Sequence, residues 1–277
     1  MTKLSRSWLI DKRVVAIQFL AEQVPELSKG RLKDAMLKGA VWLQQGKKQK
    51  RLRRAQAEVQ PGQTLALHYD ADILQRSAEN SQLLLDQRSY SVWWKPAGVL
   101  SQGSLWGDHV SLLRQAELQT KRPVFLVHRL DREASGLLLL AHDGKAAASL
   151  SQQFQLGQVK KLYHVAVQGW LSDAQKNTGE IRLTLDGKES VTRFHVCKQL
   201  ESGLSWLEVD LQTGRKHQIR RHFAAVGHPV MGDPRYGNGT SAADTLALQA
   251  VELSWQCPRD KTTKSISLPG PMRLFHE

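Results

Sequence analysis

A group of charged residues lies between two short apolar runs in the middle of the chain, and this arrangement strongly restricts the fold. The first run is Val124 to Val127, and the second consists of four consecutive leucines after Gly136. Short apolar runs bounded by polar residues and glycine are typical of buried strands. The loop between the runs is therefore expected where two core elements meet. Its ionisable residues include His128, Arg129, Asp131 and Arg132.

Two interpretations fit this loop equally well when it is considered alone. The carboxylate of Asp131 stands beside arginines, and nearby opposite charge favours the ionised form of a carboxylate. An ionised carboxylate near the core suits catalysis, but it also suits a structural ion pair. The choice between them depends on the rest of the chain.

The positive charge of the chain is concentrated near its N-terminus. The 277 residues carry 39 Lys and Arg against 26 Asp and Glu, a formal net charge of +13. Between residues 29 and 54 lie ten Lys or Arg and one acid, Asp34, so this segment supplies nine of the thirteen excess charges. Such a patch predicts RNA binding, and a solvated helix face with a flexible basic loop is the alternative. The predicted RNA contacts are Lys29, Arg31, Lys33, Lys47, Lys48 and Arg51.

Several protein classes lack support in the sequence. Cys197 and Cys257 are far apart, so neither a zinc site nor a disulfide framework is indicated. Walker and dinucleotide fingerprints are absent, and no metal, nucleotide or other cofactor is expected. No segment approaches the ~18 apolar residues of a spanning helix, and residues 1–11 lack the apolar core of a signal peptide. We expect a cytoplasmic monomer that does not contact membranes.

The periodicity of apolar residues predicts a division of the chain into two domains. Residues 1–12 read as a loosely ordered arm, 13–70 as a small α/β RNA-binding domain, and 71–88 as a linker. In this domain a helix is predicted from Val14 to Val24, and Ser28 is predicted to cap a second helix. Residues 89–277 show many strands, few helices and no regular βαβ alternation. This pattern predicts an α+β domain with a mixed, largely antiparallel central sheet flanked by helices.

Five short segments between residues 14 and 69 form a recognisable pattern: Leu20-Ala21, Leu27 to Leu32, Lys38 to Val41, Gly46-Lys47 and Val59 to Gln63. With this pattern, residues 14–69 resemble the S4-like RNA-binding module, a small helix–helix–strand unit. Gln45 precedes Gly46, where that family often has Asn.

The remainder of the chain, about residues 88–277, contains five separated motifs: Lys95-Pro96-Ala97-Gly98, the segment from His128 to Gly136, Lys161-x-Tyr163, the segment from Thr213 to Arg220, and the segment from Gly227 to Asp233. In these motifs and their order, it resembles the RluA-like pseudouridine synthases. The resemblance implies the pseudouridine synthase fold and the isomerisation of uridine to pseudouridine in a structured RNA.

The resemblance also implies roles for individual residues. Asp131 matches the family's essential aspartate, Arg220 the basic residue paired with it, and Tyr163 the tyrosine that packs on the target base. Asp131 either attacks the anomeric carbon as a nucleophile or removes a ribose proton to give a glycal, and both routes fit. Leu137 or Ile219 would form the apolar wall of the base pocket.

Further positions are expected to contact RNA. Arg129 matches a position that enters the base stack vacated by the target nucleotide, although a phosphate or structural contact also fits. Lys95, Arg215 and Lys216 are expected to bind phosphates. Ala134 stands where the family usually has Thr before the Ser-Gly pair, so a hydroxyl group is missing there.

The family resemblance favours ribosomal RNA of the large subunit as the substrate, because an S4-like module commonly accompanies that target. Transfer RNA is the second choice. A non-catalytic RNA-binding factor for ribosome assembly would explain the basic segment equally well, but it has no use for Asp131, Tyr163 and Arg220 together. A nucleosidase that uses Asp131 would instead release free base.

Overall fold

The chain forms two compact units in the computed structural model, which describes residues 3–171, 178–237 and 245–275. Unit 1 comprises Met1–Ala78 and Gln102–Leu118, and unit 2 comprises Glu79–Ser101 and Gln119–Glu277. Among the helices of the described ranges, none is both long and apolar enough to cross a membrane.

Unit 1 contains an antiparallel sheet covered by two helices. The sheet order is β1-β6-β3-β4, and β2 pairs with β5. Leu20, Leu32 and Met36 from the helices pack with Leu65 and Leu67 of β6 in a fully buried core. The elements are β1 (Lys3–Leu9), β2 (Val14–Val15), α1 (Ala16–Gln23), α2 (Lys29–Leu37), β3 (Val41–Gln45), β4 (Lys48–Arg51), β5 (Glu58–Val59), β6 (Thr64–Asp70) and α3 (Ala71–Leu74).

The start of α2 confirms the predicted cap. Ser28 has an extended backbone, and its Oγ accepts a hydrogen bond from the backbone NH of Arg31 at 3.3 Å. This contact satisfies one of the NH groups that have no partner inside a helix.

The N-terminal arm and the linker differ from the sequence prediction. Residues 3–9 form β1, which pairs with β6 along its whole length, from Lys3 opposite Asp70 to Leu9 opposite Thr64. An edge strand needs mainly backbone partners, so its polar sequence carried little signal. Residues 71–88 contain α3 and a strand, and the extended connection between these elements is shorter than predicted.

Unit 1 also includes a segment that the sequence predicts to belong to the second domain. Asp108, in segment 102–118, forms an ion pair with Arg51 Nε at 2.9 Å and accepts a hydrogen bond from Arg53 Nη2 at 2.5 Å. The carboxylate lies so close to Gly39 that a Cβ there would be 2.5 Å from Oδ1. The sequence does not reveal this ion-pair cluster, because Asp108 is more than fifty residues from both arginines.

Unit 2 is built on one large sheet. Its order is β12-β13-β14-β11-β15-β10-β8-β7, with β9 on β10 and β16 on β15. The elements after α3 are β7 (Gln82–Asp86), β8 (Tyr90–Lys95), α4 (Leu112–Thr120), β9 (Phe125–Leu126), β10 (Ser135–Ala141), α5 (Gly144–Gln155), β11 (Lys160–Gln168), β12 (Thr178–Leu185), β13 (Lys188–Leu200), β14 (Leu204–Leu211), α6 (Gln218–Ala225), β15 (Leu248–Gln256), β16 (Thr263–Ser267) and a 3-10 turn (Gly270–Met272). The described strand pairs are antiparallel except β10 with β15. This confirms the predicted α+β class with a mixed, largely antiparallel sheet.

The two apolar runs on either side of the charged loop form strands of different length and burial. The leucines 137–140 are fully buried in β10, as predicted. The first run forms only the two-residue strand β9, and Phe125 is 40% exposed. β15 pairs with the start of β10, at Ser135 and Gly136, and β9 pairs with its far end, at Leu140 and Ala141.

Gly136 brings β10 close to β15. It pairs with Ala250, has a φ of +113°, and has no room for a side chain, because a Cβ would lie 2.2 Å from the carbonyl oxygen of Ala250. On the other side of β15, Ala250 pairs with Tyr163 of β11. The loop that precedes β10 is thereby placed two strands from Tyr163.

The substitution Gly136→Ala is expected to destabilise the protein by about 3 kcal/mol or more, because it combines overpacking against backbone with an unfavourable φ. Chemical denaturation measures the effect. The control is Gly144→Ala at the start of α5, where no atom lies within 4 Å of the new Cβ. That variant is expected to be unchanged or slightly more stable, and equal stabilities would contradict the role of Gly136.

Candidate active site

The loop before β10 forms one wall of a cleft of about 700 Å³ in unit 2. This volume lies in the range of small-molecule pockets, which is enough for one nucleotide. The other walls are the C-terminal end of α5, the start of β11 and the segment that leads into α6. The cleft lining that concerns the chemistry comprises Arg129, Asp131, Lys161, Tyr163, Arg215, His217, Ile219 and Arg220.

Buried polar groups fix the backbone of the loop. Lys95 is fully buried, and its Nζ donates to the carbonyl oxygens of Pro96 at 3.0 Å, Val99 at 2.8 Å and Arg132 at 3.3 Å. Burial lowers the pKa of Lys95 to about 7, against the opposing effect of the Asp131 and Glu133 charges. The expectation that Lys95 binds phosphate is therefore wrong, because the ammonium group serves the protein's own carbonyl groups.

Two further side chains support the same loop. Ser101 Oγ donates to the carbonyl oxygen of Leu130 at 2.7 Å and accepts from its NH at 3.0 Å. His128 Nε2 accepts from the NH of Leu139 at 2.9 Å, and the ring stacks on Phe154. Burial lowers the pKa of His128 to about 3, so the ring is neutral and acts as an acceptor. The loop therefore has a hydroxyl brace although residue 134 is alanine.

Arg220 links Asp131 to a second carboxylate. Its guanidinium donates to both oxygens of Asp233, each at 2.7 Å, and its Nη1 donates to Asp131 Oδ2 at 3.1 Å. Arg220 and Asp233 are 2% and 1% exposed. Burial lowers the pKa of Arg220, but the bonds to Asp233 and Asp131 outweigh this effect and raise it overall. A permanent positive charge is thus held against one oxygen of Asp131.

His217 faces the other oxygen of Asp131. Its backbone is left-handed, with a φ of +52°, and its Nε2 lies 3.6 Å from Asp131 Oδ1. Nδ1 lies 3.0 Å from the hydroxyl of Tyr236. Burial lowers the pKa of His217 despite the Asp131 charge, so the imidazole is neutral at neutral pH.

Gln218, the first residue of α6, fixes the turn that carries His217 and Arg215. Its Oε1 accepts from Thr213 Oγ1 at 2.7 Å and from the NH of Arg215 at 3.0 Å. Its Nε2 donates to the carbonyl oxygen of Val191 on β13 at 3.0 Å. The turn is therefore tied to the sheet.

Tyr163 enters the cleft from β11. It is 7% exposed, and burial, followed by the Asp131 charge, raises the pKa of its phenol well above the ordinary value. The phenol is therefore protonated at neutral pH. A flat, apolar ring with a proton on its oxygen suits packing against a base rather than removal of a proton.

The structure brings most of the predicted site residues together. Asp131, Tyr163, Arg220 and Ile219 line one cleft with Arg129 and Arg215. Leu137 does not belong to the lining: it is fully buried inside β10, and the prediction that it forms a wall of the base pocket is wrong. Ala134 and Leu248 also contribute apolar side chains to the wall of the cleft, in addition to Ile219.

The predicted RNA contacts of unit 1 fall into two groups. Arg51 is occupied, because it is bound to Asp108, to the carbonyl oxygens of Gly39 and Ser104, and to the face of Trp42. This placement indicates a structural residue rather than the predicted RNA contact. The exposed group comprises Lys29, Arg31 and Lys33 on α2, and Lys47 and Lys48 at the β3–β4 turn.

Sequence reasoning gave no role to three residues of the site: Lys161, His217 and Asp233. The place of Lys161 in the cleft was predictable from the sequence, because residues two apart on a strand share a face and Tyr163 is predicted to line the site. Asp233 had none, because its partner Arg220 had already been paired with Asp131.

Comparison with known proteins identifies relatives over most of the chain. Residues 89–225 match the family model for RNA pseudouridylate synthase. An uncharacterized RNA pseudouridine synthase of Aquifex aeolicus (strain VF5) is 30% identical over 267 residues, which cover 87% of this chain and 81% of that protein. The dual-specificity RNA pseudouridine synthase RluA of Vibrio parahaemolyticus is 36% identical over 198 residues, 63% of this chain and 77% of the relative. Ribosomal large subunit pseudouridine synthase C of the same organism is 34% identical over 199 residues, 65% of this chain and 62% of the relative.

A solved structure agrees with this result. Human RNA pseudouridylate synthase domain containing 1 superposes with a TM-score of 0.59 at 26% identity, covering 70% of this chain and 84% of that chain.

The pair Arg220–Asp233 is expected to make stability depend on pH. Burial raises the pKa of Asp233, but the bonds from Arg220 and from the NH groups of Arg235 and Tyr236 lower it overall. The unfolded chain therefore binds the proton more readily. The stabilisation is complete above about pH 4, the pKa of an aspartate in the unfolded chain. It is lost as the pH falls through the lower pKa that Asp233 has in the folded protein.

Asp233→Asn is expected to lose about 3 kcal/mol at pH 7 and to flatten the acid limb of the stability curve. Urea denaturation between pH 3 and 7 measures both effects. The control is Asp186→Asn, which removes an exposed carboxylate paired with Arg221. An acid limb as steep in Asp233→Asn as in the wild type would show that another group controls it.

Proposed function

Because the chain belongs to the RluA-like family of RNA pseudouridine synthases, we propose that it isomerises specific uridines of large-subunit ribosomal RNA, with Asp131 as the catalytic carboxylate. Members of this family are isomerases that act on RNA. The observation that carries the assignment of Asp131 is its position in the cleft, with Arg220 at one oxygen and His217 near the other. A carboxylate held in this way has a fixed direction of attack.

The reaction breaks the bond between C1′ of ribose and N1 of uracil, and then joins C1′ to C5 of the same base. In one route an oxygen of Asp131 bonds to C1′ as N1 leaves, and C5 later displaces it. In the other, Asp131 takes the C2′ proton and afterwards returns it. In both routes C5 loses a proton and N1 gains one, so the product has the atoms of the substrate. Both routes need an ionised carboxylate, and the cation of Arg220 lies 3.1 Å from its Oδ2.

Tyr163 and Ile219 are proposed to hold the base during this rearrangement. Tyr163 offers a buried ring beside Asp131, and Ile219 adds an apolar side chain to the same cleft. Close packing would keep the detached base from leaving before C5 reaches C1′. The protonated phenol would also be able to donate a proton as the base changes its bond.

The target nucleotide has to leave its stack before it enters such a cleft, at a cost of a few kcal/mol. Arg129 is exposed, lines the cleft, and makes no hydrogen bond or ion pair with the part of the chain that the structure describes. We propose that it takes the place of the extruded base. Arg215, whose Nε is buried without a hydrogen-bond partner in the described residues, is proposed to bind the backbone phosphate.

The choice of RNA is proposed on two grounds. Unit 1 resembles the S4-like module and presents exposed lysines and arginines, and one relative bears the name of a large-subunit synthase. Transfer RNA is the alternative substrate, since another relative is named as dual-specificity. Either RNA would be modified in the cytoplasm.

Asp131→Asn is expected to abolish pseudouridine formation, by at least 10⁴-fold, while the affinity for RNA changes less than about twofold. The amide keeps the size of the carboxylate but can neither attack C1′ nor accept the ribose proton. Pseudouridine mapping of large-subunit ribosomal RNA and transfer RNA measures the first effect, and filter binding the second. Asp186→Asn serves as the matched control. If the wild-type protein forms pseudouridine in neither RNA, a non-catalytic RNA-binding factor becomes the better proposal.

The triple variant Lys47→Gln, Lys48→Gln, Lys50→Gln is expected to weaken RNA binding and to lower the slope of log affinity against log salt by about 2, because each phosphate contact releases counterions. The matched control is Arg51→Gln, which removes a cation already paired with Asp108. It should lower thermal stability without changing the slope. An unchanged slope in the triple variant would exclude this turn as an RNA contact.

A further inference from the structure

Lys161 is a cation inside the cleft to which the proposed reaction has so far given no role. It is 7% exposed and belongs to the cleft lining. It stands two residues before Tyr163 on β11, and alternate side chains of a strand point to the same face. The ammonium group and the phenol ring therefore enter the cleft from the same wall.

The ammonium group of Lys161 lacks the partners that the other buried cations of unit 2 possess. Lys95 donates to three carbonyl groups, and Arg220 donates hydrogen bonds to two carboxylates. The ammonium group of Lys161 makes neither a hydrogen bond nor an ion pair with any residue that the structure describes. Burial lowers its pKa, and the charge of Asp210 opposes this only in part. A buried charge that is left uncompensated is costly, and such groups concentrate at functional sites.

The reaction produces a charge of the opposite sign at this wall. When the bond between C1′ and N1 breaks, its electron pair stays on uracil, whether Asp131 attacks C1′ or removes the C2′ proton. The detached base is therefore an anion, with its charge shared by N1, O2 and O4. A base that packs on Tyr163 would bring these atoms towards the neighbouring Lys161.

A backbone phosphate is a poorer match for this position. Phosphates remain partly solvated, and the cations that suit them at this cleft are Arg215 and the exposed Lys216. Lys161 is more than nine-tenths buried beside an aromatic ring, a setting that admits a flat base. Fixed charges in such a site interact more strongly than in water.

We propose that Lys161 is a further catalytic residue, whose ammonium group contacts the detached uracil and stabilises its negative charge. This inference rests on the proposed function. The ammonium group makes the departure of the base easier, and it holds the anion in the cleft until C5 bonds to C1′.

The test compares Lys161→Met with the wild-type enzyme in single-turnover reactions at saturating RNA. The variant keeps the length of the side chain and removes its charge. We expect the rate of pseudouridine formation to fall at least 100-fold, with the RNA dissociation constant and its salt dependence unchanged. Its melting temperature should equal or exceed that of the wild type, because no partner of the ammonium group is lost.

Lys160→Met is the matched control. Lys160 is the next residue on the same strand, with a side chain that is 57% exposed and an ion pair to Glu252 at 3.6 Å. Its loss should change the rate less than threefold. Lys161→Gln tests the charge itself, because the amide still donates a hydrogen bond; it should be as defective as Lys161→Met.

Three results would overturn the inference while leaving the proposed function intact. The first is a Lys161→Met rate within threefold of the wild type. The second is weaker RNA binding with a smaller salt slope and an unchanged saturated rate, which would identify a phosphate contact. The third is recovery of the rate in Lys161→Gln. Absence of pseudouridine in the wild-type reaction would overturn the proposed function itself.

Discussion

The guanidinium group of Arg220 joins two carboxylates that come from distant parts of the chain. Asp233 takes the Nε and Nη2 edge, and Asp131 takes Nη1. Asp233 also accepts hydrogen bonds from the backbone NH groups of Arg235 and Tyr236. Asp233 is therefore fixed in position, and it holds the guanidinium group of Arg220 on the side away from Asp131. The direction of the Asp131 carboxylate is therefore set by α6 as much as by its own loop.

The position of Asp131 depends equally on the sheet. Gly136 allows β10 to approach β15, and β15 in turn pairs with the strand that carries Tyr163. Lys95 and Ser101 hold the backbone on either side of Asp131 through the carbonyl oxygens of Arg132 and Leu130. The carboxylate thus stands on a loop whose flexibility has been removed by buried hydrogen bonds. Such pre-organisation avoids a reorganisation cost during the reaction.

The sequence predicted those parts of the molecule that depend on local pattern. The burial of leucines 137–140, the cap at Ser28 and the largely antiparallel sheet followed from periodicity and short-range chemistry. The family resemblance selected Asp131, Tyr163 and Arg220, which the structure places in one cleft. Lys95 was misjudged because a lysine looks the same in sequence whether it meets solvent or three carbonyl groups. Leu137 was misjudged because an apolar residue next to a loop fits a pocket wall and a sheet interior equally well. The roles of Arg51 and Asp233 depend on partners that are distant in the sequence, so no local pattern predicts them.

The excursion of segment 102–118 into unit 1 affects how the chain is built during synthesis. The polypeptide leaves unit 1 after residue 78 and contributes to it again with Asp108, so unit 1 is discontinuous along the chain. A nascent chain that has emerged only as far as residue 78 has Arg51 and Arg53 in place but lacks the carboxylate that neutralises them. Completion of unit 1 therefore waits for residues that follow the first strands of unit 2. For the same reason, unit 1 cannot be transferred to another protein intact as one continuous stretch of gene, and a transplant that keeps its ion-pair cluster needs two junctions.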